Sequence, residues 1–142
     1  MDDIVALLRE TRTWAVVGCS PDPGRDSHRI ASLLQREGFR VIPVNPHVDG
    51  DILLGERCYT SLRDIPPDAG VEVVDIFRRA EEAGAHVDEA IAIGATGVWM
   101  QLGVIDEAAA ARARAAGLRV VMDRCPAIEL PRLRRPSPGM GA

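Results

Sequence analysis

The chain is 142 residues long, 46% hydrophobic and 27% charged, which is the size and balance of one soluble globular domain with a full apolar core. A net charge of −4 and few aromatic residues (Trp14, Phe39, Tyr59, Phe77, Trp99) argue against a base-stacking or polyanion-binding nucleic-acid surface. No apolar run approaches a membrane span and the opening residues carry no leader pattern, so neither a span nor a secretory leader is expected. Three widely spaced cysteines (Cys19, Cys58, Cys125) fit neither a disulfide framework nor a zinc site, so a reducing, cytoplasmic setting is expected.

Residues 2–10 place apolar side chains at helical spacing behind two acids that suit a helix N-terminus. Residues 14–18 read as a short buried strand. Residues 27–37 read as a helix with Ile30, Leu33 and Leu34 on one face and Gly38 as its stop. A second strand, residues 39–44, is closed by Pro43 and Pro46. Residues 47–70 are rich in turn formers around Tyr59, which predicts a short edge strand and a helical turn. A third clear strand spans residues 71–77, and a helix over residues 80–93 ends at Gly94. Residues 98–101 form a brief strand. Asp106 caps a helix over residues 107–116, whose Ala108, Ala109, Ala111, Ala115 and Ala116 are expected to pack closely on a sheet. Residues 118–122 are the last strand. A short helix follows Pro126, and from Pro131 the chain is expected to fray into a basic tail containing Arg132, Arg134 and Arg135.

Apolar strands alternating with amphipathic helices define an α/β class: a Rossmann-like, doubly wound parallel sheet in three α/β/α layers, built as a single domain. Right-handed crossovers predict the order 3-2-1-4-5-6, with residues near Cys58 as the weak third strand. The open edge there leaves room for a second copy and a homodimer. A ligand in such a sheet lies at the carboxyl ends of the strands, where the order reverses. The first of those ends, Trp14 to His28, runs from strand through a Gly/Ser/Pro loop into a helix start. Unpaired N–H groups at such a start, approached over Gly18, suit a phosphate.

The dinucleotide fingerprint is missing. The loop reads Gly18-x-Ser20-x-x-x-Gly24-Arg25, the second strand ends in Val44-Asn45-Pro46, and the first acid beyond is Asp49. Arg25, Arg40, Arg78 and Arg79 offer countercharge, so a nucleotide with extra phosphate on its ribose suits the pattern better than NAD. His28, one turn into the helix, is placed either to hydrogen-bond a phosphate or to cap.

Five segments occur in register at strand ends: Val17-Gly-Cys-Ser, Arg40-Val-Ile-Pro-Val-Asn-Pro46, Asp75-Ile-Phe-Arg-Arg79, Gly97-Val-Trp-Met-Gln-Leu-Gly103 and Val121-Met-Asp-Arg-Cys125. Through them the chain resembles the stand-alone CoA-binding-domain family. It is more distantly similar to the N-terminal domain of the succinyl-CoA synthetase alpha chain. The resemblance covers about residues 10–134, and it implies a CoA-binding domain over residues 1–134 followed by a flexible tail, 135–142. It implies coenzyme A at the switch point, with Gly18, Cys19, Ser20 and Arg25, beside Ser27 and His28, on the diphosphate. Val44, Asn45 and Pro46 would line the adenosine side. Phe77, Arg78 and Arg79 would cover the middle, and Trp99, Met100 and Gln101 would approach the pantetheine end. The synthetase's phosphorylated histidine belongs to a second domain that the resemblance does not cover, so ligase activity is not expected to carry over.

Several residues keep two readings. Cys19 is either a thiolate-prone loop residue or a small filler; Cys125 is either redox-active or structural, and Cys58 is packing. His47 and His86 read as loop and helix-surface residues, with no metal-ligand spacing. Asp75 and Asp123 read as strand-end carboxylates paired with Arg78, Arg79 or Arg124, or as acid/base groups without a second partner. Trp99 is core filler, ligand wall or both, and Gln101 wants a pantetheine amide or a loop carbonyl. The expected function is non-catalytic binding of coenzyme A or an acyl-CoA as the small-molecule ligand. The alternatives are an acyl-CoA or thioester enzyme using Cys125 or Asp123 with a partner subunit, and an NAD(H)-binding redox-sensor domain.

Overall fold

The computed structural model describes residues 2–48 and 50–134. Helix α1 (Asp3–Glu10) starts at Asp2, whose carboxylate accepts the Ile4 N–H at 2.7 Å. It leads into β1 (Thr13–Val17), α2 (Asp26–Arg36) and β2 (Arg40–Val44), then the short pair β3 (Ile52–Leu53) and β4 (Glu56–Arg57). After two 3₁₀ turns come β5 (Val73–Ile76), α3 (Ala80–Ala92), β6 (Gly97–Met100), α4 (Glu107–Ala115), β7 (Arg119–Val121) and α5 (Pro126–Arg134).

Five strands pair in parallel in the order β2-β1-β5-β6-β7, so the chain reverses direction across the sheet between β1 and β5. This is the expected doubly wound α/β fold. The weak third strand is reduced to one parallel bridge, Val44 to Tyr59, with the Tyr59 N–H on the Pro43 carbonyl at 3.1 Å. Its residues go instead into an antiparallel hairpin. Positive φ at Leu54 (53°) and Gly55 (78°) turns that hairpin, and Gln35 Nε2 holds the Leu54 carbonyl at 2.6 Å. The opposite edge is closed: Asp3 accepts the Val120 N–H at 3.1 Å and pairs with Arg119 at 3.0 Å.

Alternation along each strand builds two cores. One face packs Val17, Val44, Val74, Ile76 and Met100 against α3 and α4. The other packs Trp14, Val16, Val73 and Trp99 with residues of α1, α2 and α5. Trp14 anchors this second core, 5.3 Å from the Phe39 ring and 5.5 Å from that of Trp99. Gly97 lets α1 sit close on β6, since a Cβ there would lie 2.7 Å from Leu7 Cδ2 and 3.0 Å from the Arg119 carbonyl oxygen, and buried Leu7 would have to shift.

Two expectations need correction. On α4 it is Ala109, Ala110 and Ala113 that are buried, whereas Ala108, Ala111, Ala115 and Ala116 face outward; with every position after Glu107 Ala or Arg, the sequence carried little facial contrast. Helix α5 continues through Pro131 to Arg134, because Arg132 pairs with Glu129 at 3.2 Å and Arg134 with Glu37. Asp49, Arg135 and the rest of the expected tail, 135–142, lie outside the described residues.

Candidate functional site

At the carboxyl end of β1 the backbone must turn at once toward α2. Gly18 does so at φ +84°, with its N–H and that of Cys19 both on the Val44 carbonyl (2.8 and 3.2 Å). A Cβ at Gly18 would lie 2.4 Å from the Phe77 carbonyl oxygen, so no side chain fits. The loop beyond is braced by its own polar groups. Ser27 Oγ accepts the Ser20 N–H (2.9 Å), Ser20 Oγ accepts that of Asp22 (3.0 Å), and Asp22 Oδ1 accepts that of Gly24 (2.8 Å). His28 Nδ1 lies 2.9 Å from the Ser20 carbonyl, which makes that nitrogen the protonated one, and Asn45 Nδ2 donates to the Cys19 carbonyl at 3.0 Å. With Ser27 spent on the loop and no cap from Arg25, the first turn of α2 keeps its N–H groups without a side-chain partner. These elements wall a cavity of about 600 Å³, with Gly18, Ser20, Arg25, Asn45 and Phe77 among its lining.

Two further cavities flank it. One, of about 610 Å³, lies between the Phe77–Glu82 turn and the loop carrying Gln101, Leu102 and Val104. The other, of about 200 Å³, is bounded by Val44, Pro46, Ser61, His86 and Glu89. Arg78 lines all three. Its Nη2 pairs with Glu82 at 3.1 Å, and its Nε is buried without a partner.

Beneath the cleft, Asp75 is fully buried and reaches no arginine, contrary to the expected ion pair. Gln101 Nε2 donates to its Oδ1 at 2.6 Å, and its Oδ2 has no partner. Burial pushes the Asp75 carboxyl up to about 8, opposed only by the Gln101 hydrogen bond. The Asp123 carboxylate likewise meets no arginine: held at φ +59°, Asp123 accepts the Gly103 N–H on Oδ1 at 2.8 Å and fixes the loop after β6, while Arg124 Nη1 donates to its backbone carbonyl at 2.8 Å. Cys19 is fully buried and its thiol is pushed up to about 12, by burial first and then by Cys58 and Asp75, which removes the thiolate reading. Burial likewise raises Cys125, against backbone N–H groups of Ala127 and Ile128 that lower it.

Trp99 and Met100 depart furthest from expectation. Both are fully buried, the indole donates to the Arg124 carbonyl at 2.9 Å, and neither lines any of the three cavities. Strand alternation sends them into opposite cores, and only Gln101, one residue further, reaches the cleft. Val44, Pro46 and Arg79 do line cavities. The sequence reading missed Glu82, Ser61 and Glu89 and took His86 for a surface residue. Glu89 in fact joins His86 Nδ1 and Ser61 Oγ, each at 3.0 Å, beside Val44. The one sequence cue was spacing: Glu82, His86 and Glu89 share a face of α3, and Arg78, just ahead of that helix, precedes Glu82 at an i,i+4 separation. Among the described residues no three His, Cys, Asp or Glu side chains come together to hold a metal ion, and no helix is long and apolar enough to cross a membrane.

In an open parallel sheet the reversal point is where a ligand crevice forms, and here that crevice meets an uncapped helix start. The chain belongs to the family described as CoA binding domain, whose sequence model matches residues 12–131. It is 34% identical over 123 residues to uncharacterized protein YneT of Bacillus subtilis (strain 168), covering 87% of this chain and 88% of that one. A solved hypothetical protein from Pyrococcus horikoshii OT3 matches with 38% identity and a TM-score of 0.85, over 92% of this chain and 89% of that one. The dinucleotide forming acetyl-coenzyme A synthetase 1 of Ca. Korarchaeum cryptofilum matches with 25% identity and a TM-score of 0.70, over 84% of this chain but 28% of that one.

Proposed function

We propose that the chain binds coenzyme A, or an acyl-CoA, across the three cavities and performs no chemistry on it alone. Coenzyme A brings a thiol that carries acyl groups as thioesters, and the groups present fit its polar half. The observation that carries the reading is the crevice between β1 and β5. There a glycine with no room for a Cβ adjoins an uncapped helix start and a buried guanidinium nitrogen lacking an acceptor. In this reading the open N–H groups at the start of α2, approached over Gly18 and Ser20, receive the diphosphate with Arg25, Ser27 and His28. Val44, Asn45 and Pro46 receive the nucleoside, and Phe77, Arg78 and Arg79 flank the middle. Gln101 meets the pantetheine arm: its Nε2 is committed to Asp75, so its free carbonyl faces an arm that carries amide N–H groups.

Two features support a binding role without catalysis. The buried carboxyl under the cleft, that of Asp75, lies beneath Gln101, and the thiols of Cys19 and Cys125 near it are held in the protonated form. Thermal unfolding tests the proposal. At 100 times its Kd, coenzyme A adds about 2.7 kcal/mol, on the order of 10 °C in Tm for a domain of this size. A rise with NADH and none with coenzyme A would overturn it.

A further inference from the structure

Arg78 is the side chain shared by all three cavities, and its hydrogen bonding is incomplete. Its Cδ lies 3.1 Å from the point a Gly18 Cβ would occupy, so the arm crosses the crevice at the phosphate loop. At the tip, Nη2 is held by the Glu82 carboxylate at 3.1 Å, one turn further along the chain. Nε stays buried and unpartnered, a donor for which no acceptor has been supplied. The other carboxylates lining these cavities with Arg78 are already occupied, Glu89 by Ser61 and His86 and Asp26 by Arg29.

We propose that Glu82 is an internal substitute for a ligand anion: it holds the Arg78 guanidinium until a phosphate takes its place, so the pair selects ligands by their phosphate charge. This rests on the coenzyme A reading of the cleft. The exchange is easy on one side, because the two side chains are 30% and 42% exposed and such a pair contributes little to folding. It is favoured on the other, because a phosphate presents several oxygens and can take Nε and an Nη together, which a carboxylate held at Nη2 alone does not. Once displaced, Glu82 stays on the wall of the 610 Å³ cavity, where its charge opposes the incoming anion. A ligand without phosphate triggers no exchange and pays neither cost.

Calorimetric titration of the full chain with coenzyme A and with pantetheine, which lacks phosphate, tests this. Glu82→Gln removes the competing charge and should bind coenzyme A about two- to fivefold tighter, with pantetheine unchanged. Arg78→Lys keeps the charge but loses Nε, and should bind coenzyme A at least about tenfold more weakly. A Glu82→Gln protein that binds coenzyme A no tighter than wild type, or that tightens pantetheine equally, overturns the exchange while leaving the coenzyme A reading intact. A wild-type chain that binds no coenzyme A overturns both.

Discussion

Replacing Asp75 by asparagine should reverse its effect on stability between about pH 4 and pH 8. The carboxyl is fully buried with an apparent pKa of about 8, against 3.8 for the free group. Between those values the unfolded chain has released a proton that the folded chain retains. The unfolded state therefore binds fewer protons, and stability falls as pH rises from about 4, levelling off above about 8. At about 1.4 kcal/mol per unit, the cost is roughly 2 kcal/mol at pH 5 and on the order of 4 kcal/mol at pH 7. Asparagine keeps an Oδ1 to accept from Gln101 but cannot ionise, so that slope disappears. In exchange its amide adds an unpartnered buried donor, a pH-independent loss of about 1–3 kcal/mol. The two curves should therefore cross: wild type more stable near pH 4, Asp75→Asn more stable at pH 8. Urea unfolding of both proteins at half-unit steps measures the difference, in which every other titrating group cancels. Parallel curves would refute the assignment of a retained proton to Asp75.

Gly18→Ala forces a Cβ against the Phe77 carbonyl at a positive φ; it should cost more than about 2 kcal/mol and abolish the Tm rise with coenzyme A. Denaturant midpoints with and without ligand check both parts. Asp106→Ala removes the carboxylate that accepts the Ala109 N–H at 3.0 Å and should cost about 1 kcal/mol without changing ligand affinity, since it lines none of the three cavities.

Most of the sheet was legible because each strand is a run of β-branched and apolar residues bounded by a glycine or proline. A buried parallel strand needs little more. What escaped lies where one local rule gives way to another. The segment near Cys58 has the composition of an edge strand, yet Leu54 and Gly55 turn the chain back two residues after Ile52, so hairpin pairing replaces extension. Helix α5 runs past a proline because its arginines find Glu129 and Glu37, the latter 97 residues away in sequence. No window along the chain contains that contact.

The site divides along the same line. Its backbone parts (Gly18, the loop and the start of α2) were readable because a turn of that shape demands those residue types locally. Its side-chain parts depended on which strand face each residue took. At the end of β6 alternation decides everything: Trp99 and Met100 enter opposite cores, and Gln101, on the same face as Trp99, reaches over to Asp75. A carboxylate at a strand end beside two arginines invites an ion pair when read in sequence. In the fold Asp75 points inward beneath Gln101, while Arg78 extends across the crevice. The arginine is thereby left to Glu82 and the acid to an amide. The charge balance of this cleft consequently includes an anion-seeking group with a weak internal partner, and a ligand's phosphate can complete what Glu82 satisfies only in part.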